Sequence, residues 1–208
     1  MPKPKAVTLQ SNALSLTAEQ GVLLDRLDAI LSAHPLLSPL LAYLEDVAPD
    51  CWLAAGAVRA AVWDHLHGYS PSLPAEIDIV YHATVLDASD FEAELEHTLR
   101  GRFSQVSVWD IVNQASVHGW IAETTGKHWP PFTSLLAALE SWPETATAVA
   151  VRRSGCCLEL IAPFGLADLF AGVLRHNPAR ASVTVFQQRI TDKDWLHRWP
   201  NLILHNGT

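Results

Sequence analysis

Glu76 and Asp78 are two carboxylates one residue apart in an otherwise apolar run, Glu76-Ile77-Asp78-Ile79. In a strand, residues two apart share a face, so both acids project together while Ile77 and Ile79 turn to the core. Such a pair can hold metal. Two magnesium ions roughly 3.5 to 4 Å apart, gripping the phosphates of a nucleotide, require convergent oxygens of this kind. Acids alternating with isoleucine also describe any half-exposed strand, so the pattern acquires meaning only from what surrounds it.

The elements that must position these acids follow from periodicity and punctuation. Residues 51–55 form a short apolar run, Gly56 breaks it, and residues 58–67 resume at helical spacing: strand, tight turn, helix. Residues 68–75, with two prolines and two serines, form a loop that delivers the chain to a strand at 76–81. An acidic amphipathic helix is expected over 87–100, a strand over 103–110 and a helix over 113–123. Upstream, Thr17 caps a helix running to Leu31, and a second helix punctuated by Pro35 and Pro39 ends near Asp46, together bracing the sheet. Downstream, the pattern predicts a helix over 134–142, strands at 146–152 and 156–161 joined as a hairpin, and a helix opened by Pro163 and running to Leu174. The expected architecture is α/β (α+β), a mixed sheet with packed helices. A flexible tail over 1–16 precedes a single domain over 17–208.

Composition bounds the partners. The chain has 208 residues, 49% hydrophobic and 17% charged, enough for an ample core. Fourteen Lys and Arg against 22 Asp and Glu give a net charge of −8. A protein gripping a polynucleotide through many phosphates shows a basic surface, so a small-molecule or protein acceptor is favoured over extended nucleic acid. Cys51, Cys156 and Cys157 lack the spacing of a zinc or redox motif and read as buried thiols of a reducing compartment. With neither a secretion signal nor a membrane-length apolar run, a cytoplasmic location is expected. His65 and His67 differ by two along a helix and do not share a face, which argues against zinc.

The order of elements resembles the polymerase-beta nucleotidyltransferase superfamily. Gly56-Ala57-Val58-Arg59, Gly68 and Glu76-Ile77-Asp78-Ile79 are similar to the opening signature of CCA-adding enzymes and poly(A) polymerases. A longer stretch resembles a bacterial family of uncharacterised predicted nucleotidyltransferases. Its matching segments include Trp63-Asp64, Asp78-Ile79-Val80-Tyr81, Trp109 with Asn113-Gln114-Ala115, Trp142-Pro143-Glu144-Thr145-Ala146-Thr147, Ala162-Pro163-Phe164-Gly165-Leu166 and Trp199-Pro200.

The resemblance implies a polymerase-beta-type fold and a metal-dependent transfer of a nucleoside monophosphate from a nucleoside triphosphate to an acceptor hydroxyl. Glu76 and Asp78 become ligands of Mg2+, and Asp110, at the end of the next strand, becomes the third acid and the group that helps deprotonate the acceptor. Backbone amides at Gly56 and Ala57 approach the phosphates at a helix start. Arg59 and Arg152 are candidates to fork onto phosphate oxygens, the alternative for Arg59 being an ion pair or a sheet carbonyl. Asn113 and Gln114 are candidates for base or sugar edges, and Trp129 for stacking. Two departures stand out: Ala55 replaces the first glycine of the turn, and Glu76 is longer than the usual aspartate. They admit two alternatives, a nucleotide-binding regulator without turnover and a nucleotidylating toxin.

Overall fold

A computed structural model describes residues 17–84, 88–119, 128–179 and 182–205. Two helices open the fold. In α1 (Ala18–Ala33), capped by Thr17 whose Oγ1 accepts from the Gln20 amide at 3.3 Å, Leu24, Leu27 and Leu31 form the buried stripe. In α2 (Leu37–Val47) the stripe is Leu37, Leu40, Leu41 and Leu44. Between them, His34 Nδ1 accepts from the amides of Leu36 and Leu37, each at 3.2 Å, satisfying the start of α2. The pair is bent by 97°, and among the described residues no single helix is long and apolar enough to cross a membrane.

β1 (Trp52–Ala54) runs directly into α3 (Ala55–Leu66). No loop intervenes: Ala55 turns the chain with φ of 50°, a left-handed conformation that a Cβ disfavours, and its amide bonds the Val149 carbonyl at 3.1 Å. α3 is buried at every position from Ala57 to Asp64, as suits an alanine-rich helix enclosed on all sides. β2 (Glu76–Tyr81) follows, then the crossover helix α4 (Ala88–Arg102) and β3 (Val108–Asn113). β4 (Ala150–Ser154) and β5 (Cys157–Ile161) close a hairpin at Gly155, φ 59°. The sheet order is β3-β2-β1-β4-β5, with β2 and β3 parallel and the other pairs antiparallel.

The sheet has two unlike faces. Leu53, Ile77, Ile79, Ile111 and Val151 belong to the main core with α1 to α4. On the other face, Trp52, Ala54, Val80, Ala150 and Ile161 pack against Leu135 and Leu139 of α5 (Leu135–Leu139). Glu76, Asp78 and Asp110 lie on this second face by strand parity.

The C-terminal third is fastened to α3 by indoles. It comprises α6 (Ala167–Ala171), β6 (Val173–Arg175), α7 (Val183–Asp192), α8 (Trp195–Arg198) and β7 (Ile203–His205), with β6 and β7 parallel. Trp195 and Trp199 meet Trp63 edge-on, with centroids 6.0 and 5.2 Å away, and Trp199 Nε1 donates to buried Asp64 at 2.8 Å.

Several expectations are corrected. The strand expected over 103–110 begins at Val108, because α4 runs on to Arg102 and Phe103 buries itself just beyond it; Asp110 therefore lies inside β3 rather than at its end. Asn113 completes that strand and 114–116 form a turn, so the expected helix starts only at 117; residues 117–119 are helical, and 120–123 fall outside the described residues. The helix expected to reach Leu174 stops at Gly172, φ 65°, and Leu174 is strand. The first hairpin strand starts at Ala150 rather than at 146. The helix start expected at Asp87 and the tail over 1–16 also lie outside the described residues. Cys51 is a buried thiol as expected, pushed up to about 12 by burial, but Cys156 is exposed in the hairpin turn.

Candidate active site

β2 presents Glu76 and Asp78 on one face, and the parallel β2–β3 register sets Asp110 directly opposite Asp78. The three carboxylates bring oxygens within 4.8 Å of one another. Burial pushes the Asp78 carboxyl up to about 6, the Gly56 amide opposes the shift, and the charges of Glu76 and Asp110 reinforce it. Asp110 is raised as well, by burial and then by Glu76 and Glu92. Like charges held this close resist common ionisation, so the cluster has an electrostatic need for cations. A set of hard carboxylate oxygens suits magnesium or manganese rather than a soft metal. Glu76, despite its extra methylene, reaches the other two.

The glycine turn touches this cluster directly. The Gly56 amide donates to Asp78 Oδ2 at 3.2 Å, and a Cβ at Gly56 would stand 3.4 Å from that oxygen and 3.9 Å from the Arg59 guanidinium. Gly56 is thus small because a carboxylate comes close, whereas the left-handed backbone falls on Ala55. The N-cap residue Ala54 makes no side-chain cap, and the first two amides of α3 are taken by the Val149 carbonyl and by Asp78.

Beside the acids, a cleft of about 330 Å³ is lined by Gly56, Arg59, Thr147, Arg189, Lys193 and Trp195, together with Glu76 and Asp78. Arg59 is buried, donates to Thr147 Oγ1 at 2.9 Å and lies 4.3 Å over the Trp195 ring, while its Nε has no partner. Burial holds it down to about 10, with Glu144 opposing the shift, so it stays charged at neutral pH. Arg189 Nε donates to fully buried Glu144 at 2.6 Å, and Lys193 Nζ stands 3.8 Å from Glu76 Oε2.

Glu76, Asp78, Asp110, Gly56 and Arg59 are therefore neighbours, whereas Ala57 is buried in the main core and does not line the cleft. Arg152 is not among them. It shares the acids' sheet face but sits at the opposite end, where it pairs with Glu159 at 2.7 Å, stacks on Trp52 and borders a separate cavity of about 660 Å³. The sequence reasoning missed Thr147, Arg189, Lys193 and Trp195. Arg189 in the last turn of α7 and Lys193 at its C-cap are four apart and so lie on one side of that helix end, but nothing in the chain ties that side to residues more than a hundred positions upstream. Asn113 is absorbed structurally, its side chain bonding both the amide and the carbonyl of Ala83.

A family model described as Nucleotidyltransferase matches residues 46–204. The fold is similar to a protein whose NMR structure is described as revealing a CCA-adding enzyme head domain, with a TM-score of 0.70, 28% identity, and coverage of 94% of this chain and 99% of that one. It also resembles the Thermotoga maritima CCA-adding enzyme complexed with tRNA, with a TM-score of 0.52, 17% identity, and 86% of this chain aligned to 42% of that one, a likeness of fold alone. No curated protein sequence matches the chain. The matched stretch contains β1, the Gly56 turn, all three acids, Arg189 and Lys193, and on that extent the chain belongs to the nucleotidyltransferase family.

Proposed function

We propose that the protein is a metal-dependent nucleotidyltransferase, organised as one domain over residues 17–208 and working in the cytoplasm, that moves a nucleoside monophosphate from a nucleoside triphosphate to the hydroxyl of a non-polynucleotide acceptor. The observation that carries this proposal is the cleft where Glu76 and Asp78, with Asp110 clustered beside them, face Arg59, Arg189 and Lys193. Acids alone suit many cations. Acids facing guanidinium and ammonium groups suit a polyanion bound together with metal.

Glu76, Asp78 and Asp110 would hold Mg2+, which when bound offsets phosphate charge and acidifies an acceptor hydroxyl. Arg189 and Lys193 meet the triphosphate oxygens, and Arg59, stacked on Trp195, supplies positive charge from beneath. The N-terminal dipole of α3, whose Gly56 amide already bonds Asp78, favours the same anion. The acceptor oxygen bonds to the alpha-phosphorus, the bond from that phosphorus to the bridging oxygen of the beta-phosphate breaks, and pyrophosphate leaves. The hydroxyl proton passes to the Asp110 carboxylate.

A nucleotide-binding regulator without turnover is the second reading, favoured by the Lys193 ammonium beside Glu76. The test is pyrophosphate release with Mg2+ and each nucleoside triphosphate, in wild type and Asp78→Ala. Release that depends on Asp78 supports transfer. Saturable nucleotide binding without release, across acceptors, supports the regulator.

A further inference from the structure

A second cavity, of about 550 Å³, runs along β3, the edge strand of the sheet, and includes Asp110 in its wall. It shares no lining residue with the cationic cleft, so Asp110 divides a phosphate side from another side. Among the described residues no lysine or arginine lines it. Its walls are instead Asp110, Glu92, Gln114, Ser116, Val117 and Trp142.

Gln114 is 6% exposed, yet among the described residues nothing bonds its side-chain amide; only its backbone amide is engaged, donating to the Tyr81 carbonyl at 2.8 Å. Glu92 is held in place through Oε1, which accepts from the Tyr81 hydroxyl at 2.9 Å and the Asn113 amide at 3.0 Å. Its second oxygen remains for another donor. Half-buried Trp142 offers an indole surface in the same wall.

We propose that this cavity is the acceptor subsite and that the acceptor is a small, phosphate-free polyhydroxylated ring of the sugar or cyclitol type. An apolar ring face stacks on Trp142, hydroxyls bond the Gln114 amide and Glu92, and one hydroxyl reaches Asp110. A phosphate-bearing acceptor would instead meet two carboxylates with no described cation to offset them. The inference rests on the transfer chemistry proposed above. The reacting hydroxyl gives its proton to Asp110, its oxygen bonds to the alpha-phosphorus, and pyrophosphate leaves with the bridging oxygen, yielding a nucleoside monophosphate ester of the ring.

The test uses the full chain with Mg2+ and labelled nucleoside triphosphates. Probes are methyl α-glucopyranoside, methyl α-mannopyranoside and myo-inositol, set against glucose 6-phosphate, inositol 1-phosphate and a 12-nucleotide RNA with a free 3′ hydroxyl. The expected result is label on at least one neutral ring, with the KM for that ring raised about tenfold in Gln114→Leu and in Trp142→Ala, more than the KM for nucleotide. Label on RNA or the sugar phosphates alone, or on no neutral ring while Asp78-dependent pyrophosphate release to water proceeds, overturns the inference. If no pyrophosphate is released at all, the transfer chemistry fails, and saturation-transfer NMR decides the cavity separately. Neutral-ring signals lost in Gln114→Leu sustain the subsite, and their absence in wild type overturns it.

Discussion

Asp110 stands directly across from Asp78 in the parallel β2–β3 pair, and the same row continues through Ala54 of β1 to Ala150 of β4. Two carboxylates abut two methyl groups on one line of the sheet. Ala54 and Ala150 are fully buried beneath Leu135 and Leu139, so the covered part of this face begins directly beside the acids.

Asp78 carries a cost that its removal should expose. Its folded pKa is raised to about 6, so this group favours the folded state at low pH, and that contribution is lost as pH rises through 6. Asp78→Asn should stabilise the protein at pH 7.5 by on the order of 2 kcal/mol while abolishing pyrophosphate release. Thermal unfolding at pH 5 and 7.5 checks this, the gain shrinking at the lower pH. Added Mg2+ should raise the wild-type melting temperature more than that of the variant.

Lys193 and Arg152 separate phosphate binding from scaffold. Lys193→Met removes a half-exposed charge from the cleft and should raise the nucleotide KM roughly five- to tenfold without loss of fold. Arg152→Ala should leave that KM within about twofold and lower stability by roughly 1 kcal/mol, through its lost contacts with Glu159 and Trp52. Steady-state kinetics with thermal melts of both variants distinguishes the roles.

The Ala55-Gly56 turn yields opposite expectations at adjacent positions. Ala55→Gly relieves a left-handed alanine and should stabilise by roughly 0.5 to 1 kcal/mol with activity retained. Gly56→Ala meets no positive φ, so the fold should persist, but its methyl enters the mouth of the acid cluster and should lower kcat about tenfold or more. Denaturant titration and kinetics of the two variants provide the check.

His34 makes the α1–α2 brace sensitive to acid. Its Nδ1 accepts two amides only when unprotonated, and burial lowers its pKa. A base with a lowered folded pKa contributes stability above its unfolded value of about 6.5, lost as pH falls through that value toward the folded one. Wild type should lose melting temperature between pH 7 and 5 more steeply than His34→Ala, which should already be about 1 kcal/mol less stable at pH 7.

The sequence alone disclosed what depends on short-range periodicity. Alternation placed Glu76 and Asp78 on one strand face, a single glycine after an apolar run marked the strand-to-helix turn, and Arg153, Ser154 and Gly155 marked the hairpin region. Each is a relation among residues a few positions apart, where backbone geometry dictates which side chains meet. Boundaries failed where a local signal had a tertiary competitor: Phe103 looked like the start of a strand because it is buried, but it is buried by packing beyond α4.

Only the tertiary structure decided the rest. The family resemblance named Asp110 as the third acid, but its place directly opposite Asp78 comes from β-pairing register across a crossover helix, and register is set by the whole buried face rather than by neighbours in the chain. Arg189 and Lys193 reached the acids because Trp195 and Trp199 pack on Trp63, and hydrophobic contact leaves no mark of its partner in either segment. Arg152, promising as a phosphate ligand by type alone, was drawn to the far end of the sheet by its place on β4, beyond the reach of any argument from composition or spacing.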